Sequence, residues 1–344
     1  MTFEKILITR MKYIGDIVLT TPIVHAVRDA FPAAQISYLG DEKAVSLLEN
    51  NPYLDEIIPY KFRDDSFGYQ MAMYRRMYRS KFDLTIDLYS NPRSALLTFA
   101  TRARVRIGWD TRGRGKLYTI RVPDDGRVKS AIDHHYQALA PLGITPTHRR
   151  TEIFLTPRER EKSLGILASL NVPSDVPLVA VHPGATWPNK VWGREQFEET
   201  VRRIVRETDA HVLVSPGPND RELVEYLAMV DLHRVHRLPM YPVRTLAGIL
   251  SCCAVFISND CGPMHIGVAV GTKTIGIFGP EPPEIWFPYS PEEGHLSLFT
   301  KLPCSPCRTT QCHRAPGEEM ECMRLITADT VVQAVKDRLP HASV

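Results

Sequence analysis

The 344-residue sequence predicts an α/β protein built of two Rossmann-like, doubly wound units in succession. Three observations carry this expectation. Short apolar runs alternate with amphipathic helical patterns, which is how parallel strands joined by crossover helices read. The alternation pauses in a proline-bearing stretch, residues 145–175 with one helical pattern inside it, and then restarts with the same rhythm. The length is too great for one ordinary core and suits two of roughly 150–170 residues each.

The elements follow in order. KILIT at 5–9 is a short buried strand, and residues 17–31 repeat apolar side chains at helical spacing. QISYL at 35–39 is the second strand, followed by a helix around 44–49 and a strand at 56–59. FDLTIDL at 82–88 and residues 105–107 are further strands, with helices between. In the second half, PLVAVH at 177–182 is a strand, 194–207 a helix and 210–215 a strand. Helices near 220–230 and 243–252, a strand at 254–258, a helix from Gly262 and a strand at 274–278 complete the rhythm, and 328–339 is a closing helix. The expected domains are 1–170 and 171–344. Two such units in tandem place a ligand cleft between them, at the carboxyl ends of both sheets.

A 44% hydrophobic and 24% charged composition excludes disorder, collagen and coiled coil. No apolar run approaches the roughly 18 residues of a membrane span. Glu4, Lys5, Arg10, Lys12 and Asp16 interrupt the start where a signal peptide needs an unbroken apolar core, so a cytoplasmic protein is expected. The net charge of +3 hides an asymmetry: residues 1–150 hold 23 Lys and Arg against 16 Asp and Glu, and the remainder 19 against 23. The excess gathers at Arg102, Arg104, Arg106, Arg112, Arg114, Lys116, Arg121, Arg127 and Lys129, opposed by Asp110, Asp124 and Asp125. Such a stretch is either a solvated face or a surface for anions. Nucleic acid fits poorly, because no aromatic stacking pattern and no nucleic-acid module accompanies the basic residues.

Three loops after strands carry residues suited to chemistry. Residues 10–16 follow the first strand; Gly15 permits a tight turn, and Asp16 falls at or just before the helix start, as a plain cap or as a general base on the cleft rim. Residues 182–193 leave the strand at 177–182. There Gly184 allows close backbone approach, Thr186 offers a hydroxyl and Lys190 a point charge for phosphate. Residues 258–265 open a helix with Pro263 in its first turn. The amides of Cys261, Gly262 and Met264 then lie at a helix N-terminus suited to a diphosphate, with Asp260 just before them and His265 one turn in. His265 reads equally as a packed, hydrogen-bonded residue. Gly108 and Gly113 have Walker A spacing, but Arg114 replaces the lysine. Neither a G-x-G-x-x-G after the first strand nor a G-x-S-x-G elbow is present, which weakens dehydrogenase and hydrolase readings. Cys304, Cys307, Cys312 and Cys322 have a spacing unlike a standard zinc finger; a structural zinc site, a disulfide and free thiols all remain open.

The segments ILITRMKYIGDIVLTTPIVHAVRDAFP, VHPGATWPNKVWGREQF and SNDCGPMHIGVAVGTKTIGIFGP, with the cysteine-bearing tail, resemble the ADP-heptose:lipopolysaccharide heptosyltransferases of glycosyltransferase family 9. The resemblance implies a GT-B architecture, two Rossmann-like domains facing a central cleft, with acceptor bound by the N-terminal half and nucleotide sugar by the C-terminal half. It implies that the last helix packs back toward the N-terminal domain. It also implies metal-independent, inverting transfer of a heptose from ADP-heptose to the lipopolysaccharide inner core, with no cofactor. Asp16 then matches the general base, Lys190 the donor-phosphate lysine with Thr186 beside it, and Asp260, Gly262 and His265 the diphosphate turn. The ribose-holding acid falls at Asp220 or Glu222, of which Glu222 is chosen. Arg102, Arg104 and Arg112 are the acceptor candidates, for a lipid-anchored anionic oligosaccharide at the inner face of the inner membrane. Two positions depart from the family pattern: Cys261 replaces a Thr or Ser, and Gly267 a small Ala. The competing readings are a GT-B enzyme with another nucleotide sugar or acceptor, and a non-enzymatic sugar-nucleotide or polyanion binder.

Overall fold

A computed structural model describes residues 2–340 except Asp124, Asp125 and Val128. The chain divides into two compact units, Met1–Phe154 and Leu155–Val344.

In the first unit the elements are β1 (Lys5–Thr9), α1 (Ile14–Val18), α2 (Thr21–Ala30), β2 (Gln35–Asp41), β3 (Glu56–Tyr60), α3 (Phe67–Arg79), β4 (Leu84–Asp87), α4 (Pro92–Ala100), β5 (Val105–Trp109), β6 (Ile120–Val122) and α5 (Ala131–Gln137). The second unit holds α6 (Pro157–Ser169), β7 (Leu178–His182), α7 (Arg194–Glu207), β8 (His211–Val214), α8 (Arg221–Ala228), β9 (Val235–Arg237), α9 (Val243–Leu250), β10 (Val255–Asn259), α10 (Gly262–Ala269), β11 (Lys273–Phe278), α11 (Pro283–Trp286), β12 (Leu296–Phe299), α12 (Glu321–Arg324) and α13 (Ala328–Lys336).

Each unit carries one six-stranded parallel sheet, ordered β3-β2-β1-β4-β5-β6 in the first and β12-β11-β10-β7-β8-β9 in the second. Numbered from its own first strand, each sheet has the order 3-2-1-4-5-6 of a doubly wound fold, so the expected architecture is found twice. Helices cover both faces of such a sheet, which is why β7, reading LVAVH, and β10, reading VFISN, are buried at every position. The winding reverses between β1 and β4, and between β7 and β10, and the loops leaving those strands at their carboxyl ends diverge there. All three loops singled out in the sequence leave β1, β7 or β10.

Several boundaries differ from the sequence expectation. The helix expected at 17–31 begins at Ile14 and breaks at residues 19–20, because Pro22 can occupy only the first turn of a new helix. The helix near 44–49 is a 3-10 turn, Val45–Leu48. β6, β9 and β12 went unrecognised; they are sheet-edge or near-edge strands of three or four residues. The stretch 145–175 is not a connection throughout. Its helix, α6, carries a capping box from Thr156 and Glu159 and packs on α9, joined by Glu159 and Arg244. The division therefore falls after Phe154 rather than at 170. In the last helix, Val331, Val332, Ala334 and Val335 of α13 lie in the core of the second unit, against α7 and β11. Among the described residues no helix is long and apolar enough to cross a membrane.

Candidate active site

In the first unit the site forms where the loops after β1 and β4 meet. Asp16 is the third residue of α1 and only 9% exposed. Its Oδ2 accepts the Tyr13 amide at 2.8 Å, which closes the helix start, and its Oδ1 accepts from Arg10 Nη2. Arg10 leaves the end of β1, donates from Nη1 to the Leu88 carbonyl at 2.9 Å just past β4, and lies 4.8 Å from the centre of the Tyr89 ring. One guanidinium thus spans the switch point of the sheet and holds the carboxylate. Asp16 is an ion-paired, mostly buried acid rather than a lone one on the rim.

The neighbouring carboxylate, Asp87, does different work. It accepts from Thr9 Oγ1 at 2.9 Å, from the Tyr89 and Ser90 amides at 3.0 and 2.9 Å, and from the Tyr118 hydroxyl at 2.7 Å. Fully buried and bonded to both loops, it staples them together. Burial and then the Asp87 charge push the Tyr118 phenol pKa up, so Tyr118 stays a donor. His135 in α5 is buried, and burial followed by the Arg10 charge holds it neutral. Its Nδ1, together with Arg10 Nε and Trp109 Nε1, has no hydrogen-bond partner among the described residues.

The three acceptor candidates are separated. Arg102 and Arg104 lie between α4 and β5, and Arg104 donates to the Thr2 carbonyl at 2.5 Å and stacks on Phe3, ahead of β1. That is the amino edge of the sheet, about 16 Å from the Asp16 edge for a five-residue strand. Arg102 and Arg104 are therefore not beside Asp16, contrary to the sequence expectation. Arg112 follows β5 and lies, exposed, on the carboxyl edge. Part of the basic stretch is used internally: Arg106 donates to the Ala103 and Leu117 carbonyls, and Arg114 to Ser90. Asp124 and Asp125 lie outside the described residues.

In the second unit the loops after β7 and β10 are locked by Asn259. Its amide donates to the Pro183 carbonyl at 2.7 Å and its oxygen accepts the Trp192 amide at 3.1 Å. Trp192 is fully buried and donates from its indole to the Ile326 carbonyl at 3.0 Å. The result fixes the 3-10 turn Pro188–Lys190, whose Lys190 ammonium sits 2.6 Å from Asp260 Oδ2 and 4.5 Å from the centre of the Trp187 ring. Burial raises the Asp260 pKa while Lys190 opposes the rise.

Asp260 leads into the N-terminus of α10, where Cys261 is the cap residue and Pro263 lies in the first turn. The Met264 amide, expected among the anion donors, donates instead to the Cys261 carbonyl at 3.2 Å, which leaves the amides of Cys261 and Gly262 for that role. Burial pushes the Cys261 thiol up to about 12, so it is neutral, 3.3 Å from the Ser258 hydroxyl. His265 is 4% exposed and hydrogen-bonded through Nδ1 to the Tyr289 hydroxyl at 2.6 Å, as the packed alternative required. Gly267 leaves room for Phe256: a Cβ there would meet the ring at 2.4 Å. Thr186 is exposed in the Lys190 loop.

Asp220, just after β8, closes against this loop. It accepts the Gly217 amide at 2.5 Å, and its Oδ2 has no partner among the described residues. A Cβ on Gly184 would lie 1.8 Å from that oxygen, so the glycine is what admits the carboxylate. Glu222, the residue chosen from the sequence, is exposed in the first turn of α8 instead. Beside Asp220, His182 is kept neutral by burial and shares its Nδ1 with Ser215 at 2.9 Å.

Residues 70–316 match the family model described as Glycosyltransferase family 9 (heptosyltransferase). The chain belongs to that family. It is a glycosyltransferase. Lipopolysaccharide heptosyltransferase 3 of Escherichia coli is 24% identical over 298 residues, 81% of this chain and 85% of that protein. A glycosyltransferase of family 9 from Veillonella parvula DSM 2008 superposes with a TM-score of 0.82 at 24% identity, covering 98% of this chain and 97% of the other. The Escherichia coli heptosyltransferase WaaC, solved with ADP-2-deoxy-2-fluoro heptose, has a TM-score of 0.70 at 19% identity, covering 97% and 100%.

The family 9 chain thus shows a cluster of candidate residues in each unit, at the switch point of that unit's own sheet. Sequence reasoning missed Arg10 and Asn259, the two side chains that brace them. Both occupy the end of a β strand or the position just after it, which is the available signal. The four tail cysteines are free; Cys304 and Cys307 are exposed, and the Cys322 thiol is pushed up by burial and then by its three neighbours. Among the described residues the one three-ligand grouping of metal-binding type is His25, Asp29 and His148. There His25 stacks between Tyr53 and His148, with ring centres 3.8 and 3.6 Å away.

Proposed function

We propose that this family 9 glycosyltransferase moves a heptose from ADP-heptose to the inner core of a lipopolysaccharide, with inversion at the anomeric carbon. The observation that carries the donor half is the meeting of Lys190, the α10 N-terminus and the half-free Asp220 carboxylate on one edge of the second sheet. A cation and a helix N-terminus suit a diphosphate, and a carboxylate with one free oxygen suits a ribose hydroxyl. The named relatives' substrates support the same reading.

In the reaction Asp16 takes the proton of the acceptor hydroxyl while that oxygen bonds to the sugar C1. The bond from C1 to the diphosphate oxygen breaks, and ADP leaves with the electron pair. Lys190 and the Cys261 and Gly262 amides receive the charge that develops on the diphosphate. Arg10 orients Asp16. For the acceptor, Arg112 lies exposed on the Asp16 edge and suits carboxylate or phosphate groups. A lipid-borne acceptor places the work at the cytoplasmic face of the inner membrane.

The test is calorimetric titration with ADP, UDP and GDP, followed by a transfer assay with ADP-heptose and a heptose-deficient lipopolysaccharide. Selective ADP binding and release of ADP coupled to heptose incorporation are expected. Preference for UDP or GDP would select the reading of another nucleotide sugar; binding with no transfer to any acceptor would select a binding protein.

A further inference from the structure

A second surface lies on the first unit, away from Asp16. The second half of α3 and the end of α4 pack side by side and leave a groove of about 530 Å³, lined by Tyr74, Arg75, Tyr78, Arg79, Phe99 and Arg102, with Ala100 at its base. Three guanidiniums and three aromatic rings line it, and no carboxylate does. The arginines are uncompensated. Arg76, on the same helix, pairs with Glu56 at 2.8 Å, and Arg93 pairs with Asp65. Among the described residues, Arg75, Arg79 and Arg102 have no such partner, and Arg102 rests over the Phe99 ring at 5.0 Å. Arg102 also disfavours the charge of Arg106, whose pKa falls through burial and then through this repulsion. An anion in the groove would relieve that repulsion.

The helix itself has the same character. α3 reads FGYQMAMYRRMYR, without one acidic residue. Met73 and Met77 are buried, while Tyr78 is 53% exposed. The pull of a helix C-terminus on cations accounts for a basic residue in the last turn. It does not account for the exposed Tyr78 ring beside three unpaired guanidiniums. Aromatic rings and arginines on one exposed face are the composition of a surface lying at the headgroup level of an anionic bilayer.

We propose that the α3–α4 groove docks the protein on an anionic phospholipid surface, with Arg75, Arg79 and Arg102 on lipid phosphates and Tyr78 at the headgroup boundary. Docking through the amino edge of the sheet leaves the carboxyl edge, with Asp16, open to substrate. The proposal rests on surface chemistry and not on the transfer reaction, so either reading can fail alone.

The test is flotation of the full chain with vesicles of phosphatidylcholine alone or with 30% phosphatidylglycerol, about the anionic content of a charged leaflet. Binding to the anionic vesicles alone is expected. Arg75→Gln/Arg79→Gln/Arg102→Gln should weaken it about 100-fold, whereas the charge-matched Arg158→Gln/Arg160→Gln/Lys162→Gln on α6 should change it less than about threefold. ADP affinity and Tm report the fold of each variant, and Tyr78→Ser provides a second reading should the triple variant unfold; it should weaken vesicle binding severalfold. Equal losses in the two triple variants, binding indifferent to lipid charge, or retention on duplex DNA without vesicle binding would overturn the proposal.

Discussion

Arg10 holds Asp16 from one side while gripping the Leu88 carbonyl at 2.9 Å from the other, so the candidate base is positioned from the strand next door. Asp16→Asn should lower kcat by about 10²–10⁴ and leave ADP affinity unchanged. Arg10→Ala should lower kcat by about tenfold or more at unchanged donor affinity, with partial recovery in Arg10→Lys and on adding guanidinium ion. Near-normal turnover of Asp16→Asn at saturating acceptor would remove the base assignment. Loss in Arg10→Ala without chemical rescue would make Arg10 a purely structural residue.

Lys190 has two duties, donor phosphate and Asp260. Lys190→Ala should weaken ADP-heptose binding by about 1–3 kcal/mol, the range of a charge-assisted hydrogen bond. It should also destabilise the second unit, because a buried carboxylate loses its counter-ion, at a cost of about 3–5 kcal/mol. Burial raises the Asp260 pKa, so its folded-state stability is complete below the ordinary value of 3.8 and declines as pH rises. The penalty in Lys190→Ala should therefore shrink on acidification, and Asp260→Asn added to it should restore Tm at pH 7. A Tm that Asp260→Asn leaves unrestored would show that the pair is not coupled.

Asp220 and Glu222 make opposite forecasts. Asp220→Ala should weaken ADP binding by about 1–3 kcal/mol, and Gly184→Ala should do the same by displacing the carboxylate. Glu222→Gln should stay within about 0.5 kcal/mol, as an exposed surface change does. Calorimetry with the three variants decides, and a larger loss in Glu222→Gln would return the ribose to that residue.

Much of this was legible in the chain. The two sheets, the helix Arg194–Glu207 to the residue, and the loops after β1, β7 and β10 follow from periodicity and from glycine and proline placement. Periodicity falters in strands of three or four residues such as β6 and β9, too short to show alternation. The choice between Asp220 and Glu222 was not legible, because both flank a helix start and only packing against Gly184 separates them. Arg102, Arg104 and Arg112 look alike in a list of charges. Which edge of the sheet each reaches depends on whether it precedes or follows β5, and that misplaced two of them.

The Arg244 guanidinium at α9 holds the Glu159 carboxyl at about 2, below the usual 4.5. For a depressed acid the stability is complete above the ordinary value and is lost as pH falls through the folded one. Glu159→Gln should therefore be less stable at pH 7 by about 1–2 kcal/mol and show a flatter decline between pH 4.5 and 2. Urea unfolding across that range measures it; parallel curves for variant and parent would assign the acid sensitivity elsewhere.

Transfer should persist in excess EDTA, because Lys190 and the α10 amides suffice to receive the leaving diphosphate. Loss on chelation that Mg²⁺ restores would contradict this, and loss that only Zn²⁺ restores would point to Cys304, Cys307, Cys312 and Cys322.

The bond from the Trp192 indole to the Ile326 carbonyl joins residues 134 apart in sequence. A ribosome adding about 5–20 residues each second emits Trp192 many seconds before the partner that fixes it. Until then the turn bearing Lys190 is held by Asn259 alone of these two anchors, and the nascent second unit holds its strand order before its nucleotide pocket is fully braced. A chain stalled just ahead of residue 326 would thus hold all six strands and every residue proposed to touch the nucleotide, yet bind ADP more weakly than the finished chain, its Lys190 turn held through Asn259 but not through Ile326.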